Sequence, residues 1–350
     1  MYNKYQIRSW WFLIVILLLL PSCAPGIRSL SLSDPDVNVV WPKPPAQPRI
    51  RLLRRFSGTE DLVEKKSQKS ILFQWLTGEG TESLQMGTPY GVASDGKGLL
   101  WVTDPGNHLV FRFDLAGRRT DLLTNIAGEP FQTPSGIVFD PDRDRLYVAD
   151  SGLRRVYIFS SKGEFQGQVG SDEIFLRPAG LAIDRSGNLL VADVLQGLVL
   201  RFSPQGQMLS SFRSSVTADG LFNRPLSIAV DRSGRVYVVD SLNFRVEVLD
   251  DKGHGIGTIG GLGDVPGTFS RPRGVAVDSV GHIYVTDAAF DNIQIFGPDG
   301  RLLLVFGSGG KWGLSLPSSL FIDQRDRIYA VDTYNHQVQI YQYLSPGQDK

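Results

Sequence analysis

The sequence predicts an all-β fold of six similar four-stranded units closed into a ring, and three observations carry that expectation. First, a phrase of two short apolar strands around an aspartate-led turn returns six times. The copies read "WVTDPGNHLVFRF", "YVADSGLRRVYIF", "LVADVLQGLVLRF", "YVVDSLNFRVEVL", "YVTDAAFDNIQIF" and "YAVDTYNHQVQIY". Second, three ladders of single residues keep step with the phrase. They are Asp95, Asp140, Asp184, Asp231, Asp278 and Asp323; Asp104, Asp150, Asp193, Asp240, Asp287 and Asp332; and Gly117, Gly163, Gly206, Gly253, Gly300 and Gly347, all stepping by 43 to 47 residues. Third, helical periodicity is missing through this region, while 38 glycines and 20 prolines suit many turns and short strands. A repeat of this length built from short alternating strands marks propeller blades, so the expected fold is a six-bladed β-propeller of four-stranded blades.

The unit "RPLSIAVDRSGRVYVVDSLNFRVEVLDDKGHGIGTIG" shows each strand in turn. "SIAV" is short and apolar, as an innermost strand buried on both faces must be. "DRSG" has Asp at the first turn position and Gly at the fourth, which predicts a type I turn. "RVYVV" and "FRVEVL" alternate, and "DDKG" opens the hairpin to the fourth strand. The last unit stops at "QIYQYLSPGQDK" after three strands. Its missing fourth strand, by analogy with "GRLLLVFGSGG", stands before the first repeat as "PRIRLLRRFSG", Pro48 to Gly58. The N-terminal strand therefore completes the C-terminal blade and leaves no open edge, making residues 48–347 one domain. Residues 59–87 interrupt it as a packing insertion. Its middle has room for a short amphipathic helix that lays Ile71, Phe73, Trp75 and Leu76 on the body.

These units resemble the NHL-repeat family, whose pattern runs Pro-x-Gly, apolar strand, Asp, turn Gly, apolar-Val-x-Asp, polar loop, strand. The resemblance covers about residues 48 to 347. Blade three departs with "VLQG" in its polar loop, and blade six carries Ser319 in place of the glycine. The Gly-His and Trp-Asp signatures of WD40 blades are absent.

Residues 1–22 read as a signal peptide. Lys4 and Arg8 form a positive beginning, and Trp10 to Leu20 is an apolar run too short to span a bilayer as a mature helix. The segment "LPSC" resembles the lipobox of bacterial lipoproteins, which implies cleavage before Cys23 and acyl chains on its sulfur and amino group. An ordinary secretory signal with an incidental cysteine is the alternative, and it explains poorly why the chain's one cysteine ends the apolar run. Several acyl chains hold a protein on a membrane far more firmly than one. Ala24 follows the cysteine where Asp would imply inner-membrane retention, so the resemblance points to the outer membrane. Residues 23–47 contain the proline-dense "WPKPPAQP", which predicts an extended, semi-rigid spacer. The alternative is a segment packed on the body through Trp41.

Recurrence separates structure from function. Each of Asp104, Asp150, Asp193, Asp240, Asp287 and Asp332 precedes a turn, where its carboxylate can accept a backbone N–H two residues on. Because they recur in every blade, a structural ladder is expected, not a metal ring. What differs between blades is the residue on either side of the strand-one proline. Those columns place Arg177, Arg224, Arg271 and Arg273 in a cationic arc over blades three to five. Guanidinium forks match carboxylates and phosphates, so the arc suits an anionic ligand or an acidic partner. The alternative is that each arginine pairs with Asp193, Asp240 or Asp287 and staples adjacent blades. Phe244, Phe290 and Tyr334, in loops near the same face, are candidate interface anchors.

Six-bladed lactonases, phosphotriesterases and amidating lyases place Glu, Asp, Asn or His at the central channel around calcium or zinc. The columns at the start of strand one hold none of these here. The four histidines divide between opposite faces, His108 and His336 against His254 and His282. Gly-x-Ser-x-Gly, haem-attachment and phosphate-loop motifs are absent. No catalytic residue, metal ligand or cofactor site is therefore assigned. Lys+Arg and Asp+Glu both number 36, which with the export signal argues against nucleic acid. The expectation is a lipid-anchored module of the bacterial envelope that binds an envelope protein or an anionic ligand. The alternative is a metal-dependent hydrolase or lyase of propeller type.

Overall fold

In the repeats, apolar strands of five or six residues alternate with aspartate and glycine turns, and each repeat folds as one antiparallel meander. The computed structural model describes residues 33–34, 37–62 and 83–344. The signal peptide, Cys23, the middle of the insertion and Gly347 lie outside the described residues.

Blade four shows the unit. Pro225–Val230, Val236–Asp240, Arg245–Leu249 and Gly255–Gly260 pair in that order from the channel outward. In the first turn the Gly234 N–H donates to the Asp231 carbonyl at 3.0 Å. The Asp231 carboxylate accepts the N–H groups of Ser233 at 2.8 Å and Arg235 at 2.9 Å. Burial alone would raise the Asp231 carboxyl, but these bonds and the Arg235 guanidinium outweigh it and hold the group below the usual carboxylate range. The first aspartate ladder thus forms turns on the face opposite the blade-to-blade connections.

The other sheets repeat the order. Their innermost strands are Val92–Ser94, Pro134–Asp140, Pro178–Ile183, Pro272–Val277 and Pro317–Ile322. Blade six joins the two ends of the body: Ile50–Phe56 pairs antiparallel with Gln337–Tyr343, from Ile50 opposite Tyr343 to Phe56 opposite Val338. Ile50, Leu52 and Phe56 are fully buried there. The seam to blade one is tied by Ser318 Oγ donating to the Tyr90 carbonyl and Thr333 Oγ1 to the Pro89 carbonyl, both at 2.9 Å. Ring closure by the N-terminal strand is therefore observed. A fifth strand, Val40–Trp41, lies outside it, and the Trp41 ring packs 5.8 Å from both Phe306 and Tyr341. This part of the proline-rich segment lies against the body, as the alternative reading held. The insertion leaves and returns at one point, where Gly58 bridges Gln85.

Apolar side chains from facing blades interlock between the sheets. Leu190, Val199 and Phe212 of blade three, for example, meet Val236, Val238 and Leu249 of blade four. Around the channel, four blades bring the innermost strands too close for a side chain at the Pro-x-Gly position, which blades four and six fill with Ser227 and Ser319. A Cβ on Gly136 would sit 1.7 Å from the Ala179 carbonyl oxygen of the next blade. That contact explains the glycine in the four blades that carry it: it lets their strands draw close to the next blade around the axis.

Candidate functional site

The second aspartate ladder sets the backbone of the face that carries the blade-to-blade connections. All six carboxylates are buried. Asp150 accepts N–H bonds from Gln132 at 2.8 Å and Thr133 at 2.9 Å, and from Gly152 and Leu153 at 3.0 Å. One carboxylate thus binds the approach to strand one and the loop leaving strand two of the same blade. Asp104 and Asp193 do the same, and Asp287 takes the N–H of Arg271 at 3.0 Å. These bonds fix the backbone on which the arginine columns stand.

The arginine side chains do not pair with that ladder. Asp193 and Asp287 receive backbone N–H groups, and Asp240 takes Arg245 at 2.9 Å. Among the described residues, no ion pair or side-chain hydrogen bond engages the guanidinium groups of Arg177, Arg224, Arg271 or Arg273. The stapling alternative fails for a physical reason: other donors already fill those carboxylates, backbone N–H groups at Asp193 and Asp287, and the Asn223 N–H with the Asn243 and Arg245 side chains at Asp240. The four arginines instead line one cavity of about 320 Å3 at the mouth of the channel. Phe244 and Phe290 are half-buried and Tyr334 is exposed, and none of the three lines this cavity.

Tyr90, in the column that places Ser, Ala or Leu in four other blades, completes the site. Burial pushes its phenol up, with Arg273 and Arg177 pulling the other way only in part. At neutral pH it therefore stands as an O–H donor. Burial, with Arg271 beside it, disfavours the charge on Arg273, and Tyr90 opposes that effect. A half-buried guanidinium without a carboxylate partner is a site short of an anion.

Beneath the mouth runs the channel, a cavity of about 260 Å3. Its walls include Val92, Ile137, Leu181, Ile228, Val275 and Leu320, one from each blade. Among the described residues, no carboxylate, imidazole or thiol lines either cavity. Each histidine is engaged elsewhere: His108 with the Gln132 carbonyl, His336 with the Gly87 carbonyl, His254 with Asp250 and His282 with Asp278. Among the described residues no three His, Cys, Asp or Glu side chains come together as metal ligands. The calcium or zinc of lactonase-type propellers therefore does not fit this channel, whose mouth would also repel a cation.

Comparison with known proteins agrees with this architecture. Residues 119–219 match the SMP-30/Gluconolactonase/LRE-like region, and residues 222–249 and 269–297 match the NHL repeat. The chain thus carries NHL repeats in blades four and five and folds as a six-bladed β-propeller. Among solved structures it is similar to virginiamycin B lyase from Staphylococcus aureus, at TM-score 0.55 and 12% identity over 84% of this chain and 100% of that one. A gluconolactonase from Xanthomonas campestris matches at TM-score 0.55 and 18% identity, over 74% and 87% of the two chains. An auxiliary nutrient binding protein from Bacteroides thetaiotaomicron matches at TM-score 0.59 and 15% identity, over 74% and 70%. At these identities the likeness is one of fold.

Proposed function

We propose that this chain is a lipid-anchored propeller of the bacterial envelope that binds an anionic ligand, or the acidic segment of an envelope partner, on its arginine face. One observation carries the reading: four guanidinium groups gather around a single cavity with no carboxylate partner among the described residues. Like charges brought together repel, and the fold gains no ion pair in return. An anion offsets that repulsion and accepts from several forks at once. The lipobox resemblance at Cys23 supports the anchor.

A hydrolase or lyase is the second reading, favoured by the gluconolactonase-like match over residues 119–219. The chemistry of the channel lining argues against it.

The test is a melt of the full chain with citrate, phosphate or polyglutamate against chloride at matched ionic strength. Saturation at 100 times the dissociation constant contributes about 2.7 kcal/mol, a rise of several degrees for a body of this size. The expected result is that rise in the native chain and none in a variant carrying Arg177→Gln, Arg224→Gln, Arg271→Gln and Arg273→Gln. Equal shifts in both proteins would contradict the assignment. For the anchor, Cys23→Ser is expected to move the protein from the membrane to the soluble fraction. Continued tight association would contradict a lipid anchor.

A further inference from the structure

The mouth and the channel are adjoining cavities with two chemistries. Tyr90, Leu226 and Arg273 line both cavities and form the waist between them. Above the waist stand the other three arginines. Below it, among the described residues, Arg273 is the only charged group, and the other side chains are mainly apolar, with hydroxyls at Ser227, Ser318 and Ser319. Val92, Ile137, Leu181, Ile228, Val275 and Leu320 are all buried within the propeller and still face this space.

At the far end the carboxylates are already engaged: Asp323 pairs with Arg327 at 2.6 Å, and Asp95 accepts the N–H groups of Lys97, Gly98 and Leu99. Phe139, Phe321 and Ile322 close the channel there and also line a separate cavity of about 140 Å3, which includes Asp95 and Asp323. The channel is therefore cationic at one mouth and lined mainly by apolar side chains along its length. A small, fully hydrated anion would satisfy the arginines and leave the apolar walls without a partner. Apolar cavities take apolar occupants in preference to water. The mouth and the channel each lie near the lower edge of the size range of small-molecule sites, about 300–1,000 Å3, and a ligand that passed the waist would use both.

Resting on the reading that the arginine face takes an anion, we propose that its ligand is amphipathic: a compact carboxylate or phosphate head on Arg273 and Tyr90, and an unbranched apolar tail down the channel. The head accepts from the Arg273 fork and from the Tyr90 hydroxyl, and Arg177, Arg224 and Arg271 add to the field above it. The tail displaces water from the strand-one side chains. The four arginines at one mouth set the direction, with the head toward them.

Calorimetric titration of the full chain with acetate, butanoate, hexanoate and octanoate tests this, with octyl phosphate, octylammonium and octanol as head-group arms. Each added methylene that enters the channel is expected to tighten binding by roughly fourfold, from the transfer free energy of a buried methylene. Octanoate and octyl phosphate bind, and the tighter of the two identifies the head. Octylammonium does not bind, octanol binds weakly, and Arg273→Gln weakens octanoate by about tenfold or more, a loss of about 1.4 kcal/mol. Equal affinity for acetate and octanoate would overturn the tail while leaving the anion reading intact. Octanol or octylammonium binding as tightly as octanoate would overturn the oriented head. If phosphate, citrate, acetate and octanoate all fail to bind, the anion reading falls as well. The chain-length series needs no variant, so it stands even if Arg273→Gln does not fold.

Discussion

Deletion of residues 48–58 abolishes the cooperative melt of the propeller, or lowers its midpoint by more than about 10 °C. The strand Ile50–Phe56 is the fourth strand of blade six, hydrogen-bonded along Gln337–Tyr343. Its loss removes the buried side chains of Ile50, Leu52 and Phe56. At about 1.5–3 kcal/mol for each large apolar side chain, these alone approach the net stability of a typical domain. It also leaves Gln337–Tyr343 as an unpaired edge, open to association with other chains. Deleting only residues 37–47 is the control, since Val40–Trp41 adds an outer strand to a sheet that is already complete. That control is expected to cost no more than a few degrees, chiefly through the loss of Trp41 from Phe306 and Tyr341. Calorimetric melts of both truncations decide the matter. Equal and small losses would mean that closure is not what holds the ring.

Asp150→Ala destabilises the propeller by about 3–5 kcal/mol, while Asp150→Asn recovers roughly half of that loss. The carboxylate is buried and accepts four backbone N–H groups, three at Oδ1 and one at Oδ2. Alanine leaves all four donors without a partner in a place water does not reach. An asparagine amide keeps the oxygen that serves three and turns its own N–H2 toward the fourth. Urea unfolding midpoints of the three proteins measure the difference. A loss under about 1 kcal/mol for the alanine variant would show that water satisfies the loop in place of the carboxylate.

The ring was legible in the sequence because ring closure leaves a local trace. "PRIRLLRRFSG" has the pattern of a fourth strand and stands where no blade claims it. The arginine arc was legible because repeats make their differences visible, column by column. What the columns could not supply was radial depth. Tyr90 stands in such a column, yet only the folded ring shows that it shares a waist with Arg273. Phe244, Phe290 and Tyr334 sit in loops on the correct face, and alternation along a strand carries no information on distance from the channel axis. The alternative pairing of arginines with Asp193, Asp240 or Asp287 failed because counting charges ignores the local donors that already fill those carboxylates. The fifth strand was hidden by proline-dense composition. Trp41 finds its partners Phe306 and Tyr341 at the other end of the chain, and no local pattern reports such a contact.

The claim that the arginine mouth is an anion site is tested most directly by locating an anion in it. Crystals of the protein grown with selenate, measured at the selenium absorption edge, place that ion without assumptions about affinity. An anomalous peak within hydrogen-bond reach of the Arg273 guanidinium and the Tyr90 hydroxyl, absent from Arg273→Gln crystals, is the predicted result. Selenate bound at other surface arginines with the mouth empty, or an unchanged peak in the variant, would contradict it.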